Sequence, residues 1–199
     1  MAIKTYTHPE VLPASLPRTF VVIGNFDGVH KGHQAILAAA KKQADAQRLP
    51  LVALTFDPHP REVLTPKNAP LRLTSLKEKT SLLQRYGAEY VYVIPFSEVY
   101  AQTAAEAFIK NTLQLALRAK HVAVGEDFAF GRQRQGDVNL LKAQGLQRDF
   151  SVQALALQLQ GGGEVYSSTA IRQLIEERAF EKAQELLGHT IKLIEKAQK

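Results

Sequence analysis

Two histidines three residues apart, His30 and His33, sit in the stretch "VVIGNFDGVHKGHQAIL", between an apolar run and a helical pattern. That spacing puts both imidazoles on one side of a first helical turn. The unpaired N–H groups of such a turn, together with the helix dipole, attract anions. Gly24 ends the apolar run and allows another group close to the backbone. Asp27 and Gly28 spell a turn, and Gly32 leaves room for a phosphate where the helix begins. The chemistry that fits is the grip on a polyphosphate and the stabilisation of charge upon it. Two other readings use the same residues. One is a metal pair completed by Asp27, since a zinc site needs a third ligand and the chain has no cysteine. The other is a helix-capping turn carrying incidental histidines.

Three more stretches carry chemistry-bearing residues. In "TFDPHPREVL", Pro58 and Pro60 stiffen a loop beside His59, and Phe56 offers an aromatic face; a plain rigid turn would read the same way. In "VGEDFAFGRQRQGD", Asp127 precedes Phe128 and Phe130, which suit either core anchors or a platform for a flat ligand. In "SSTAIR", Ser168 is expected to cap a helix, with Thr169 and Arg172 set against phosphates or simply part of the helix start.

The elements that must position these groups alternate. Strands are expected at residues 19–24, 51–56, 90–96, 121–125 and 150–160, and helices at 31–48, from Ser75 to Gly87, from Thr103 to about Ala119, at 137–145 and in two pieces over 167–189. Ile36, Leu37 and Ala40 share one face of the first helix. Ser75 with Glu78, and Thr103 with Glu106, read as capping boxes. Pro58 and Pro60 are read as forbidding further regular structure after the second strand. The alternation predicts an α/β, doubly wound, Rossmann-like and mostly parallel sheet of about five strands with flanking helices. Ligands of such sheets bind beyond the carboxyl ends of the strands, where the strand order reverses. The histidine turn follows the first strand and so falls where a ligand is expected.

Composition sets outer limits. The chain has 199 residues, 45% of them hydrophobic, no cysteine and a net charge of +6. That suits one soluble domain with a sizeable core and rules out disulfides and cysteine-based metal sites. The basic residues are dispersed, so anionic small molecules fit better than nucleic acid. No apolar run reaches membrane-spanning length, and the N-terminus lacks a signal-peptide core. A cytoplasmic protein is the default expectation, with no membrane or nucleic-acid partner and a monomer as the working oligomeric state.

Taken together, "GNFDGVHKGH", "TFDPHP", "VGEDFAFGRQRQGD" and "SSTAIR" resemble, in order and spacing, the FMN adenylyltransferase (FAD synthetase) module of bacterial bifunctional riboflavin kinase/FMN adenylyltransferases, members of the HxGH nucleotidyltransferases. The resemblance runs from about Arg18 to His189, which places an adenylyltransferase domain at 1–189 and a tail at 190–199. It implies a nucleotidyltransferase fold and the reaction of ATP with FMN to give FAD and pyrophosphate, by in-line attack of the FMN phosphate on the α-phosphorus. It assigns His30, His33 and Arg172 to catalysis; Gly24, Phe26, Asp27, Gly32, Asp127, Ser168 and Thr169 to ATP; and Asn25, Phe56, Pro58, His59, Pro60 and Phe128 to FMN. It implies Mg²⁺ held by phosphate oxygens and water, with no dedicated protein ligand. The riboflavin kinase barrel of that family, with its Gly-rich segment and PTAN motif, has no counterpart before the ending "GHTIKLIEKAQK", so kinase activity is not expected. The competing expectations are a nucleotidyltransferase with another acceptor, such as a cytidylyltransferase, and a non-catalytic flavin or nucleotide sensor.

Overall fold

The structure, a computed structural model, describes residues 4–155 and 166–197. Strands β1 (Lys4–Thr7), β2 (Thr19–Ile23), β3 (Leu51–Asp57), β4 (Tyr90–Pro95), β5 (Ala119–Gly125) and β6 (Ser151–Leu155) form a single sheet in the order β1-β4-β3-β2-β5-β6. Every pairing is parallel. The expected doubly wound fold is therefore present, with one strand more than expected. The additional strand, β1, is a four-residue edge strand whose side chains stay largely exposed, so it has no hydrophobic pattern to read. The last expected strand is described only as far as Leu155; residues 156–160 lie outside the described residues.

The central strands are apolar on both faces because helices cover both. Alternate residues divide between two cores. Val21, Ile23, Val52 and Leu54 join one, with Phe108, Ile109 and Leu113. Phe20, Val22, Leu51 and Ala53 join the other, with Leu37, Ala40 and Leu83. Helices α1 (Lys31–Ala46) and α3 (Leu76–Arg85) serve the second core; α5 (Ala105–Ala107), which runs on as a π-helix over Phe108–Ala116, serves the first. Between them lie the short α2 (Pro60–Leu64) and α4 (Glu98–Ala101), and α6 (Val138–Gln147) precedes β6. A third core, of Leu73, Ile171, Ile175, Leu187, Ile191 and Ile194, gathers α7 (Ser168–Glu176), α8 (Phe180–Leu187) and α9 (Lys192–Ala197). Ile191 and Ile194, in the stretch set apart as a tail, are fully buried there.

Several local expectations are corrected. Pro60 does not end regular structure but opens α2 as its first residue, where the missing N–H has no helical partner to lose. Ser75 caps α3 by accepting from the Glu78 N–H, but the Glu78 carboxylate instead accepts from the Lys192 N–H, tying α9 to α3. The Thr103–Glu106 box does not form: α5 begins after Ala104 without a side-chain cap, and the Thr103 carbonyl accepts from the Arg132 N–H. That helix ends at Ala116, because Ala119 already belongs to β5. The cap of α7 is Ser167, whose hydroxyl accepts from the Ala170 N–H; the Ser168 hydroxyl donates instead to the Asp27 carbonyl.

Candidate active site

Strand order reverses at β2, which lies between β3 and β5. A cleft of about 670 Å³ opens beyond the carboxyl ends of these strands, within the range of small-molecule sites. Residues that follow β2, β3, β4 and β5 line it, joined by the first turn of α7. Of the residues expected at a site, His30, His33, Arg172, Gly24, Phe26, Asp27, Gly32, Asp127, Ser168, Thr169, Asn25, Phe56, His59, Pro60 and Phe128 all line this cleft. Pro58 does not; it lies between β3 and α2.

The β2–α1 turn is tightly determined. Phe26 (φ 50°), Gly28 (φ 78°) and Val29 (φ 41°) are all left-handed, a cluster of backbone strain that the surroundings must hold. Gly24 is needed because the Phe26 ring lies where its side chain would be, 2.9 Å from an added methyl. The close approach is thus made by the chain's own aromatic ring. Likewise the space at Gly32 is bordered by the His30 ring and Tyr166. Asp27 is 4% exposed and serves as a hub. Its carboxylate accepts from the N–H groups of Leu73 and Thr74, from the Thr74 hydroxyl and from Arg172 at 2.6 Å. Arg172 also donates to the Leu71 carbonyl. The pair Asp27–Arg172 therefore locks the turn, the 71–74 segment and α7 together, while Arg172 still borders the cleft.

His30 is the N-cap of α1: its Nδ1 accepts from the His33 N–H at 3.4 Å, which leaves Nε2 to carry the proton of a neutral ring. The two imidazoles stack, centroids 3.7 Å apart, and Phe26 meets His33 edge-on. Burial lowers the pKa of His30 to about 4, with Asp27 opposing and Arg172 adding to the fall. Burial likewise holds His33 well below its usual range, reinforced by His30 and Lys79. The Nδ1 atom of His33 is buried and has no protein partner. Both rings are thus neutral hydrogen-bonding groups. The metal-pair reading fits poorly, since the rings stack and Asp27 is engaged by Arg172. No group of three or more metal-binding side chains occurs among the described residues.

Aromatic rings build the remaining wall. Phe56 meets Phe96 edge-on at 6.0 Å, and Phe96 meets Tyr100 at 5.9 Å. Phe128 and Phe130 stack at 5.3 Å, and Phe130 in turn contacts Phe108. Both readings of the phenylalanine pair are realised: Phe130 is buried in the core and Phe128 is half-buried against it, and both line the cleft. Paired backbone bonds between Phe130 and Gly136 close their loop. On the opposite loop, His59 caps α2, with its Nδ1 accepting from the Arg61 N–H and its own N–H donating to Glu62. Arg72 then ties Glu62 to Asp57 at the end of β3. Phe96, Tyr100, Arg61, Arg134 and Tyr166 also line the cleft and were not picked out from the sequence. For Phe96 and Tyr100 the available signal was their position just beyond the end of β4, where such sheets converge on ligands.

The geometry can be set beside known proteins. A family model described as FAD synthetase matches residues 12–170. A bifunctional riboflavin kinase/FMN adenylyltransferase of Escherichia coli (strain K12) is 39% identical over 169 residues, which is 85% of this chain and 54% of that protein. A protein of the same description from Haemophilus influenzae is 38% identical over 171 residues, 84% of this chain and 54% of its own length. The chain spans about half the length of the curated relatives it matches. Among solved structures, a crystal structure described as a macrolide-efflux protein from Streptococcus pneumoniae is 32% identical with a TM-score of 0.78, covering 94% of this chain and 62% of that one. Among the described residues of this chain, no helix is long and apolar enough to cross a membrane.

Proposed function

Because the chain belongs to the FAD synthetase family, we propose that it transfers the adenylyl group of ATP to FMN, giving FAD and pyrophosphate. The observation that carries this reading is a single cleft lined both by an anion-binding turn, with His30, His33 and Arg172, and by aromatic faces suited to a flat acceptor. A phosphate oxygen of FMN attacks the α-phosphorus of ATP in line; the bond from that phosphorus to the bridging oxygen breaks, and its electron pair leaves with pyrophosphate. No protein nucleophile takes part. The protein's contribution is positioning and charge stabilisation.

The residue roles follow. His30 donates from Nε2 to a phosphate oxygen, and His33, which also lines the cleft, sets its imidazole beside it. Being neutral, these rings act as dipolar donors, so positive charge comes from the N-terminus of the 16-residue helix α1, while Arg172, whose charge Asp27 balances, borders the cleft. The Gly24–Asp27 backbone, Gly32, Ser168 and Thr169 surround the triphosphate, and Asp127 reaches ribose, phosphate or metal-bound water. Phe56, His59, Pro60 and Phe128 enclose the isoalloxazine ring, while Asn25 lies between the substrates. ATP enters as its Mg²⁺ complex. The ion would be held mainly by phosphate oxygens and water, as the family resemblance implies.

The test is direct. Purified protein incubated with MgATP and FMN is expected to form FAD and pyrophosphate in equal amounts, resolved by chromatography. ATP and FMN that bind but remain unchanged would overturn the reading in favour of a sensor. Turnover of CTP with another phosphorylated acceptor, and none with FMN, would overturn it in favour of a cytidylyltransferase.

A further inference from the structure

Lys79 lies on the inner face of α3 and is 4% exposed. Lysines this deeply buried are nearly always paired, yet among the described residues no carboxylate is within ion-pair distance of it. Its ammonium donates to the Phe56 carbonyl at 3.1 Å and, more distantly at 3.4 Å, to the Thr55 hydroxyl. The Thr55 hydroxyl, fully buried, donates to the Asn25 carbonyl at 3.0 Å. One buried cation thus reaches the turn after β2, at Asn25, and the carboxyl end of β3, at Phe56, and both residues line the cleft.

We infer that Lys79 is a positioning residue for adenylyl transfer, holding the turn after β2 and the carboxyl end of β3 in one register so that the two substrates meet in line. The inference rests on the reading proposed above. Three carboxylates act on this ammonium, Asp27, Asp57 and Glu62, along with the Arg72 guanidinium. Asp27 is paired with Arg172, and Asp57 and Glu62 share Arg72. The group is therefore neutral with Lys79 and negative without it, directly beneath a turn that must receive a polyphosphate. A main-chain carbonyl left without its donor in a buried setting shifts to find another. In-line transfer is sensitive to shifts of that size, about 10²-fold in rate for an ångström of misplacement.

The test compares wild type, Lys79→Met, Lys79→Arg and Thr55→Val in FAD formation, with FMN affinity followed by flavin fluorescence and folding by far-ultraviolet circular dichroism. Lys79→Met is expected to lower kcat by about ten- to a hundredfold while FMN affinity stays within about threefold of wild type. Lys79→Arg, which keeps the charge and the donors, is expected to recover most of that loss. Thr55→Val, which cuts the relay to Asn25 and leaves the charge in place, is expected to lower kcat several-fold. It remains informative if Lys79→Met does not fold. A folded Lys79→Met with wild-type kcat, a loss confined to KM, or a Thr55→Val enzyme with wild-type kcat overturns the inference while leaving the adenylyltransferase reading intact. Failure of the wild-type protein itself to make FAD overturns both.

Discussion

His30 and His33 stack at 3.7 Å, an arrangement two imidazoliums would resist and two neutral rings accept. The consequence for catalysis is that each supplies a hydrogen bond in a desolvated site. His30→Ala or His33→Ala is expected to reduce kcat for FAD formation by about 10²-fold or more, the scale of losing one transition-state donor; steady-state assays with near-normal turnover in both variants would remove them from the mechanism. The consequence for stability has a definite sign. The folded pKa of His30 is lowered to about 4 from an ordinary 6.5. Above pH 6.5 the ring is neutral folded or unfolded and contributes no pH dependence. As pH falls from 6.5 toward 4, the unfolded chain takes up a proton that the folded one refuses, so stability drops. For His30 alone the loss approaches about 3 kcal/mol at the acid end. Urea titrations at pH 7.5, 6 and 5 are expected to show it, and His30→Ala to flatten the trend; an equally steep decline in the variant would assign it to other groups.

The elements decide how these residues are presented, and here capping matters more than propensity. Ser167 caps α7, which frees Ser168 to reach the Asp27 carbonyl and sets Arg172 one turn along the helix against the Asp27 carboxylate. Ser167→Ala is expected to cost about 1 kcal/mol in urea unfolding, whereas Ser167→Asp, which can also cap, is expected to cost little. Equal stability of Ala and wild type would return the cap to Ser168. A serine pair before a helix is legible in sequence, but which of the two turns inward is set by a loop some 140 residues away. The same limit applies to α3: Ser75 and Glu78 were read correctly as a helix start, but Glu78 finds a stronger claim from α9. The short α2 and α4 were invisible because five- and four-residue helices have no periodicity to detect.

Across the whole molecule, the helices α7–α9 act as a brace behind the anion-binding turn. Gln34 donates to both the Val29 and Leu187 carbonyls. A methyl added to Gly28 would come within 2.9 Å of Leu73 and 3.2 Å of Leu187. The third core thus presses on the loop that carries the chemistry. Leu187→Ala, at a fully buried position, is expected to cost about 2–5 kcal/mol and also to lower kcat at temperatures where the variant is fully folded. Thermal unfolding with turnover measured well below the transition checks both; destabilisation with unaltered kcat would reduce the brace to packing alone.

The sequence by itself determined the alternating α/β order, the strand that delivers the histidine turn and the residue types that meet in the cleft, because hydrophobic period and glycine placement are local properties. Tertiary structure alone decided that Asp27 pairs with Arg172, that Phe130 is buried in the core while it and the half-buried Phe128 both border the cleft, and that Lys79 stands buried against the end of β3. Those outcomes depend on groups far apart in the chain competing for the same carboxylate, void or carbonyl, and only the folded arrangement settles which of them arrives.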